Sequence, residues 1–98
     1  MSSFQLLTII AEESLASSLQ SEISELGARG YTVIQARGQS RGHVRDNPWE
    51  GENIQIETIV TTEVCTKIVK HLEEKYFDRY ALIAFHHPVQ VVRSEHFK

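Results

Sequence analysis

The segment Phe4-Gln-Leu-Leu-Thr-Ile-Ile-Ala11 constrains the fold more than any other stretch of the chain. Read as a strand, it sends Leu6 and Ile10 to one face and Leu7 and Ile9 to the other. A strand that is apolar on both faces belongs inside a sheet and needs cover on both sides. The segment is too short to cross a bilayer and no basic stretch precedes it, so neither export nor membrane insertion is expected.

The remaining elements follow from periodicity. Leu15, Leu19, Ile23 and Leu26 recur at helical spacing among serines, Gln20, Glu22 and Glu25, which predicts an amphipathic helix ending near Gly27 or Gly30. Tyr31 to Arg37 has the β-branched and aromatic character of a second strand. From Asn53 to Val60 the chain alternates, with Ile54, Ile56 and Thr58 on one face and Asn53, Gln55 and Glu57 on the other. Thr61 or Thr62 is placed to cap a second helix, with Glu63 in its first turn. Val64, Ile68 and Leu72 form the stripe of that helix, widened by Cys65 and Val69. Tyr80 to Phe85 reads as a fourth strand, with Pro88 interrupting the chain before a short extension over Val89 to Arg93.

The order β-α-β-β-α-β predicts an α+β fold, a ferredoxin-like sandwich with an antiparallel sheet and both helices on one face. The other sheet face is then uncovered, although the first strand is apolar there too and Val33, Leu82 and Ala84 are expected to extend it. An exposed apolar sheet is a liability for a monomer, so a homo-oligomer that packs these faces together is expected.

Between the second and third strands lies Arg37 to Asn53, a long segment with neither helical nor strand periodicity. Loops of this length in small domains are usually functional or disordered. No acidic residue lies between Glu25 and Asp46, so Arg29, Arg37, Arg41 and Arg45 make this part cationic in a chain of net charge −3. That overall charge, and the lack of an RNP-type Gly-Phe-Gly-Phe strand, argue against nucleic acid as a partner. Gly38 and Gly42 allow close backbone approach while Arg41 and Arg45 supply forked donors, a combination suited to phosphate or another oxyanion. On composition alone, a solvated basic loop explains the segment equally well.

Two runs carry a resemblance. Gly30-Tyr-Thr-Val followed by Gly38-Gln-Ser-Arg-Gly-His43, with Ile56–Glu57 in the third strand, resembles the PII signalling family. The run Ser40-Arg-Gly-His-Val-Arg45 and the turn Lys75-Tyr-Phe-Asp-Arg-Tyr80 are similar to the PII-like proteins linked to bicarbonate uptake and carboxysomes. The resemblance covers essentially all of residues 1–98 as one domain, with the family's T-loop at about 38–52. It implies a homotrimer that binds adenine nucleotide in three inter-subunit clefts and signals occupancy through the T-loop to a protein partner, without catalysis. Carried over by position, Gly38, Gln39, Ser40, Arg41 and Arg45 would meet phosphates, Thr32, Glu57 and Ile59 would lie beside the adenine, and Tyr80, Ala81 and Leu82 would close the site. Bicarbonate is the second implied ligand, with Arg41, His43 and Arg45 as its candidate contacts. The implied partner is a regulated protein such as a bicarbonate transporter or a carboxysome-linked protein.

The chain departs from the family pattern in three places. No tyrosine lies between Gly38 and Asn53 to be uridylylated. Glu74-Lys-Tyr-Phe-Asp-Arg79 replaces the glycine-rich B-loop, leaving fewer donors for a triphosphate and favouring ADP or AMP over ATP with magnesium. The cysteine-bearing tail of some bicarbonate-uptake relatives has no counterpart. Trp49 is a candidate partner anchor, with packing onto its own trimer as the other reading. Strand alternation sends His86 and His87 to opposite faces, against a shared metal. His43, His71 and His96 show no ligand spacing, and Cys65 reads as an inert, partly buried helix residue in a reducing, cytoplasmic setting. No catalytic constellation can be assembled, and the competing reading is a copper-tolerance-type metal-binding trimer of the same architecture.

Overall fold

In the third strand every second residue from Ile54 to Val60 is buried and those between are half-buried, so the alternation read from the sequence is the alternation of the fold. The computed structural model describes residues 3–37 and 52–93. Its elements are β1 (Phe4–Glu12), a 3-10 turn (Glu13–Leu15) leading into α1 (Ala16–Glu25), β2 (Thr32–Ala36), β3 (Asn53–Thr61), α2 (Thr62–Lys75) and β4 (Ile83–Val89). The strands form one antiparallel sheet in the order β2-β3-β1-β4. This is the ferredoxin-like arrangement, with the doubly apolar β1 in an interior position.

Both helices pack on the sheet face that carries Leu7, Ile9 and Ala11 of β1 and Ile54, Ile56 and Val60 of β3. Leu19 and Ile23 of α1 and Cys65, Ile68 and Leu72 of α2 complete the core. On α2 the buried stripe runs through Cys65, with Val64 and Val69 only partly buried beside it. Thr61 caps α2, its hydroxyl accepting the Val64 N–H at 3.2 Å. Glu63 in the first turn and Lys75 in the last complement the helix dipole.

The end of α1 is fixed by a Schellman motif. Gly27 donates to the Ser24 carbonyl at 3.2 Å and Ala28 to the Ile23 carbonyl at 2.9 Å, with Gly27 at φ 120°. A Cβ there would also sit 3.0 Å from a Val64 methyl on α2.

Two expectations are corrected. The fourth strand starts at Ile83 rather than Tyr80, because the Arg79 and Tyr80 amides bond back to the Tyr76 carbonyl and the Leu82 N–H to the Tyr80 carbonyl. It then runs through Pro88, which faces Gln5 across the pair. Proline is tolerated because β4 is an edge strand. The second correction concerns the faces of the sheet. Ala84 and Val33 pair with Ile9 and Ile56, so both lie on the helix-bearing face, and Leu82 packs against the same core. The opposite face is built by Leu6, Thr8 and Ile10 with Ile34, Ile59, Ile83 and Phe85. Of these, Ile34, Ile83 and Phe85 are 45%, 51% and 49% exposed, so the uncovered apolar face exists with a different membership.

Replacing Gly27 with alanine will destabilise the domain by about 1–2 kcal/mol, the cost of a left-handed backbone with a Cβ. Urea denaturation of the Gly27→Ala variant measures this, and an unchanged midpoint would show that the α1 terminus relaxes freely.

Candidate functional site

Pairing of Ala36 with Asn53 closes the root of the loop between β2 and β3. The Glu13 N–H donates to the Glu52 carbonyl at 3.4 Å, tying the same root to the turn after β1. A cleft of about 300 Å³ opens here, lined by Glu13, Gln35, Ala36, Arg37, Glu52 and Asn53. No sequence pattern announces it, since its walls come from three separate segments. Gly38, Gln39, Ser40, Arg41, His43, Arg45 and Trp49, the basic and partner-reading residues of the loop, lie outside the described residues.

The other candidate contacts divide into two groups. Thr32 and Glu57 are direct partners across the β2–β3 pair, and Ile59 lies two residues further along the same face. The Glu57 carboxylate accepts a hydrogen bond from the Gln55 amide at 3.3 Å, which aligns it along the strand. This gives a hydroxyl, a carboxylate and an aliphatic surface side by side on the face that the helices leave open. Tyr80, Ala81 and Leu82 lead into β4, at the other edge of the sheet. With β3 and β1 between them, β2 and β4 are about 14 Å apart. One chain therefore does not close both groups around a single small ligand.

Polar cross-links between the helices lie just before the second group in the chain. Glu22 of α1 accepts hydrogen bonds from His71 Nε2 at 2.5 Å, Lys75 Nζ at 2.7 Å and the Tyr76 hydroxyl at 2.9 and 3.0 Å. Burial raises the Glu22 carboxyl, but these hydrogen bonds and the Lys75 charge outweigh it and hold the group below its usual value of 4.5. The Tyr76 phenol, buried and donating to a carboxylate, is pushed up to about 12 and so stays protonated at neutral pH. The spacing of His71 and Lys75 on one helix face was visible in the sequence, but nothing there pointed to Glu22, which is 49 residues from His71.

Burial raises the Cys65 thiol, as an inert core cysteine requires. By strand register, His86 faces the helix side and His87 the open side, and His86 Nδ1 contacts the Gln5 amide oxygen at 2.9 Å. Among the described residues, no three His, Cys, Asp or Glu side chains are grouped to hold a metal ion. No helix of the described residues is long and apolar enough to cross a membrane.

Residues 4–96 match the family profile described as nitrogen regulatory protein P-II. The chain belongs to the P-II family. Among solved structures, this P-II chain is similar to a Thermus thermophilus protein assigned to the PII-like signalling proteins. The two are 44% identical, over 99% of this chain and 97% of that one, with a TM-score of 0.85. It shares its fold with CPII of Thiomonas intermedia bound to ADP and bicarbonate, at 20% identity over 98% and 95% of the two chains and a TM-score of 0.83. The same CPII bound to ADP, AMP and acetate matches at 22% identity over 98% and 95%, with a TM-score of 0.82. The P-II chain described here is thus a PII-like regulatory protein.

The depressed Glu22 carboxyl gives a pH dependence of defined sign. Its contribution to stability is complete above the ordinary carboxyl value of 4.5 and is lost as pH falls through the lower, folded value. Denaturation between pH 7 and pH 3 is expected to cost wild type more stability than Glu22→Gln. Equal losses would show that the network carries no net charge effect.

Proposed function

We propose that this P-II protein is a non-catalytic, cytoplasmic regulator that binds ADP or AMP between subunits of a homotrimer. The observation that carries this reading is the division of its candidate contacts between opposite edges of the sheet. A ligand held by both groups needs the β2–β3 edge of one copy and the Tyr80–Leu82 segment of another. The uncovered apolar face supplies the reason for such copies to meet, since covering Ile34, Ile83 and Phe85, each about half exposed, is worth about 1 kcal/mol per side chain.

In this reading Thr32 and Glu57 offer a hydroxyl and an acceptor to the hydrogen-bonding edge of adenine, and Ile59 packs against the ring. Gly38, Gln39, Ser40, Arg41 and Arg45 hold the phosphates, where Arg41 and Arg45 neutralise charge that the acidic walls of the cleft, Glu13 and Glu52, do not. Tyr80, Ala81 and Leu82 of the neighbouring copy close the site. The absence of a glycine-rich turn before β4 leaves few donors for a third phosphate, which favours ADP or AMP over ATP. Bicarbonate is the second ligand, held by Arg41, His43 and Arg45. This assignment is supported by the ADP and bicarbonate bound to CPII, which has the same fold.

Occupancy is signalled through the loop at 38–52, whose Trp49 would anchor a regulated protein in inorganic-carbon metabolism. A bicarbonate transporter or a carboxysome-linked protein fits this description.

Titration calorimetry with ADP, AMP, ATP and bicarbonate tests the reading. Micromolar to millimolar binding of ADP or AMP is expected, and silence toward all four ligands at millimolar concentration would overturn it. Light scattering of the purified protein is expected to give the mass of a trimer. Replacing Arg45 with alanine will weaken ADP binding by about 1–3 kcal/mol, as for a lost charged hydrogen bond. An unchanged affinity would mean that the phosphates lie elsewhere.

A further inference from the structure

We infer that Glu22 and Tyr76, neither of them among the proposed ligand contacts, are positioning residues that set the shape of the Tyr80–Leu82 segment and through it the affinity for nucleotide. This rests on the nucleotide reading above. Tyr76 caps the C-terminus of α2 and is 2% exposed, yet its hydroxyl is not left without an acceptor. It reaches across to α1 and donates to both oxygens of Glu22, at 3.0 and 2.9 Å. The side chain is thus pinned to one helix while the backbone ends another.

The same residue organises what comes next. Its carbonyl accepts the N–H groups of Arg79 at 3.0 Å and Tyr80 at 2.9 Å, and the Tyr80 carbonyl then accepts the Leu82 N–H at 3.0 Å. The Tyr80 ring packs against the Tyr76 ring, with centroids 5.6 Å apart. These backbone hydrogen bonds of residues 79–82 therefore trace back to Tyr76, directly or in one step. No glycine is present in this turn to supply an alternative backbone geometry. A stretch held at one end by a single residue inherits that residue's freedom, so loosening the Tyr76 side chain loosens the ligand-facing turn.

Lys75 and His71 are the other groups facing Glu22. They hold its carboxylate in place and also border the Tyr76 ring, His71 edge-on with centroids 6.2 Å apart and Lys75 Nζ 5.4 Å from the ring centroid, but among the described residues neither bonds to the backbone of residues 79–82. The hydroxyl of Tyr76 is the part of the network that transmits position.

Amide hydrogen exchange on the nucleotide-free protein and ADP calorimetry test this together, using wild type, Tyr76→Phe, Glu22→Ala and the double variant. Tyr76→Phe keeps the ring and loses only the donor. The expected result is faster exchange at Arg79, Tyr80 and Leu82 with the central amides of β1 and β3 unchanged. ADP binding should weaken by about three- to tenfold in either single variant, the equivalent of one lost hydrogen bond. Because both remove the same contact, the double variant should be no weaker than the weaker single one. A merely structural role would instead speed exchange throughout the sheet, and that result overturns the inference. Glu22→Gln, which keeps size and an acceptor, should recover ADP affinity toward wild type, and Tyr76→Phe alone carries the test if Glu22→Ala fails to fold. Wild-type protein that does not bind ADP overturns the nucleotide reading itself. Wild-type binding that ignores Tyr76→Phe overturns the positioning role alone.

Discussion

The two apolar faces of β1 govern the rest of the structure. Leu7 and Ile9 on one face are fully buried by the helices, while Leu6 and Ile10 on the other have only their own sheet neighbours. A strand of this kind cannot lie at an edge, and the sheet order places it between β3 and β4. Two helices are enough to cover one face of four strands and no more. The remaining face carries Ile34, Ile83 and Phe85 at about half exposure, with Gln55 between Ile34 and Ile10 in one row and Glu57 between Thr32 and Thr8 in the next. Hydrophobic burial on one side is thereby coupled to association on the other, because the same strand supplies both surfaces.

That coupling has a consequence for ligand recognition. The polar pair Thr32 and Glu57 sits on the open face, beside the surface that association would cover. Polar groups at the rim of an apolar interface retain access to water and to a ligand, whereas groups at its centre would be desolvated without partners. Thr8 marks the contrast, since it is 2% exposed on that same face, in the row that joins Phe85 to Glu57. In the proposed reading, a site at the rim would borrow its second wall from the neighbouring copy, and a ligand bound there would stabilise the assembly as well as the subunit by mass action.

Much of the fold was legible in the sequence where a local rule operates. The alternation from Ile54 to Val60 is found where the spacing put it, and the structure selects Thr61 from the two candidate caps and Gly27 from the two candidate stops, all of them features that depend on residues within a few positions of one another. What failed were assignments that depend on distant partners. Val33 and Ala84 were placed on the wrong face because the face of a short strand is set by register, and register is fixed by Ile56 and Ile9 on other strands. The start of β4 was misplaced because Tyr80 has strand character, but its N–H is already committed to Tyr76. Within the candidate site, Thr32, Glu57 and the Tyr80–Leu82 turn are proposed from the family resemblance, whereas no sequence pattern names Glu22 or the loop-root cleft. Both of these are made by tertiary contacts that leave no periodic trace.

The turn before β4 shows how a lost motif can be replaced in physical terms. A glycine-rich turn reaches its shape through backbone freedom and needs nothing from the helices. Residues 76–80, Tyr-Phe-Asp-Arg-Tyr, have no such freedom, and their shape comes from hydrogen bonds to Tyr76 and from the buried contact of Tyr76 with Glu22. The geometry of the turn before β4 thus rests on the packing of α1 against α2 rather than on local backbone freedom. A turn specified in this way is stiffer, since fewer alternative conformations compete with it. It is also connected to the rest of the domain, because any shift of one helix against the other moves Tyr76 and with it the segment it holds. If the turn before β4 meets the nucleotide as proposed, helix packing in the core and ligand recognition at the sheet edge are two readings of the same contact.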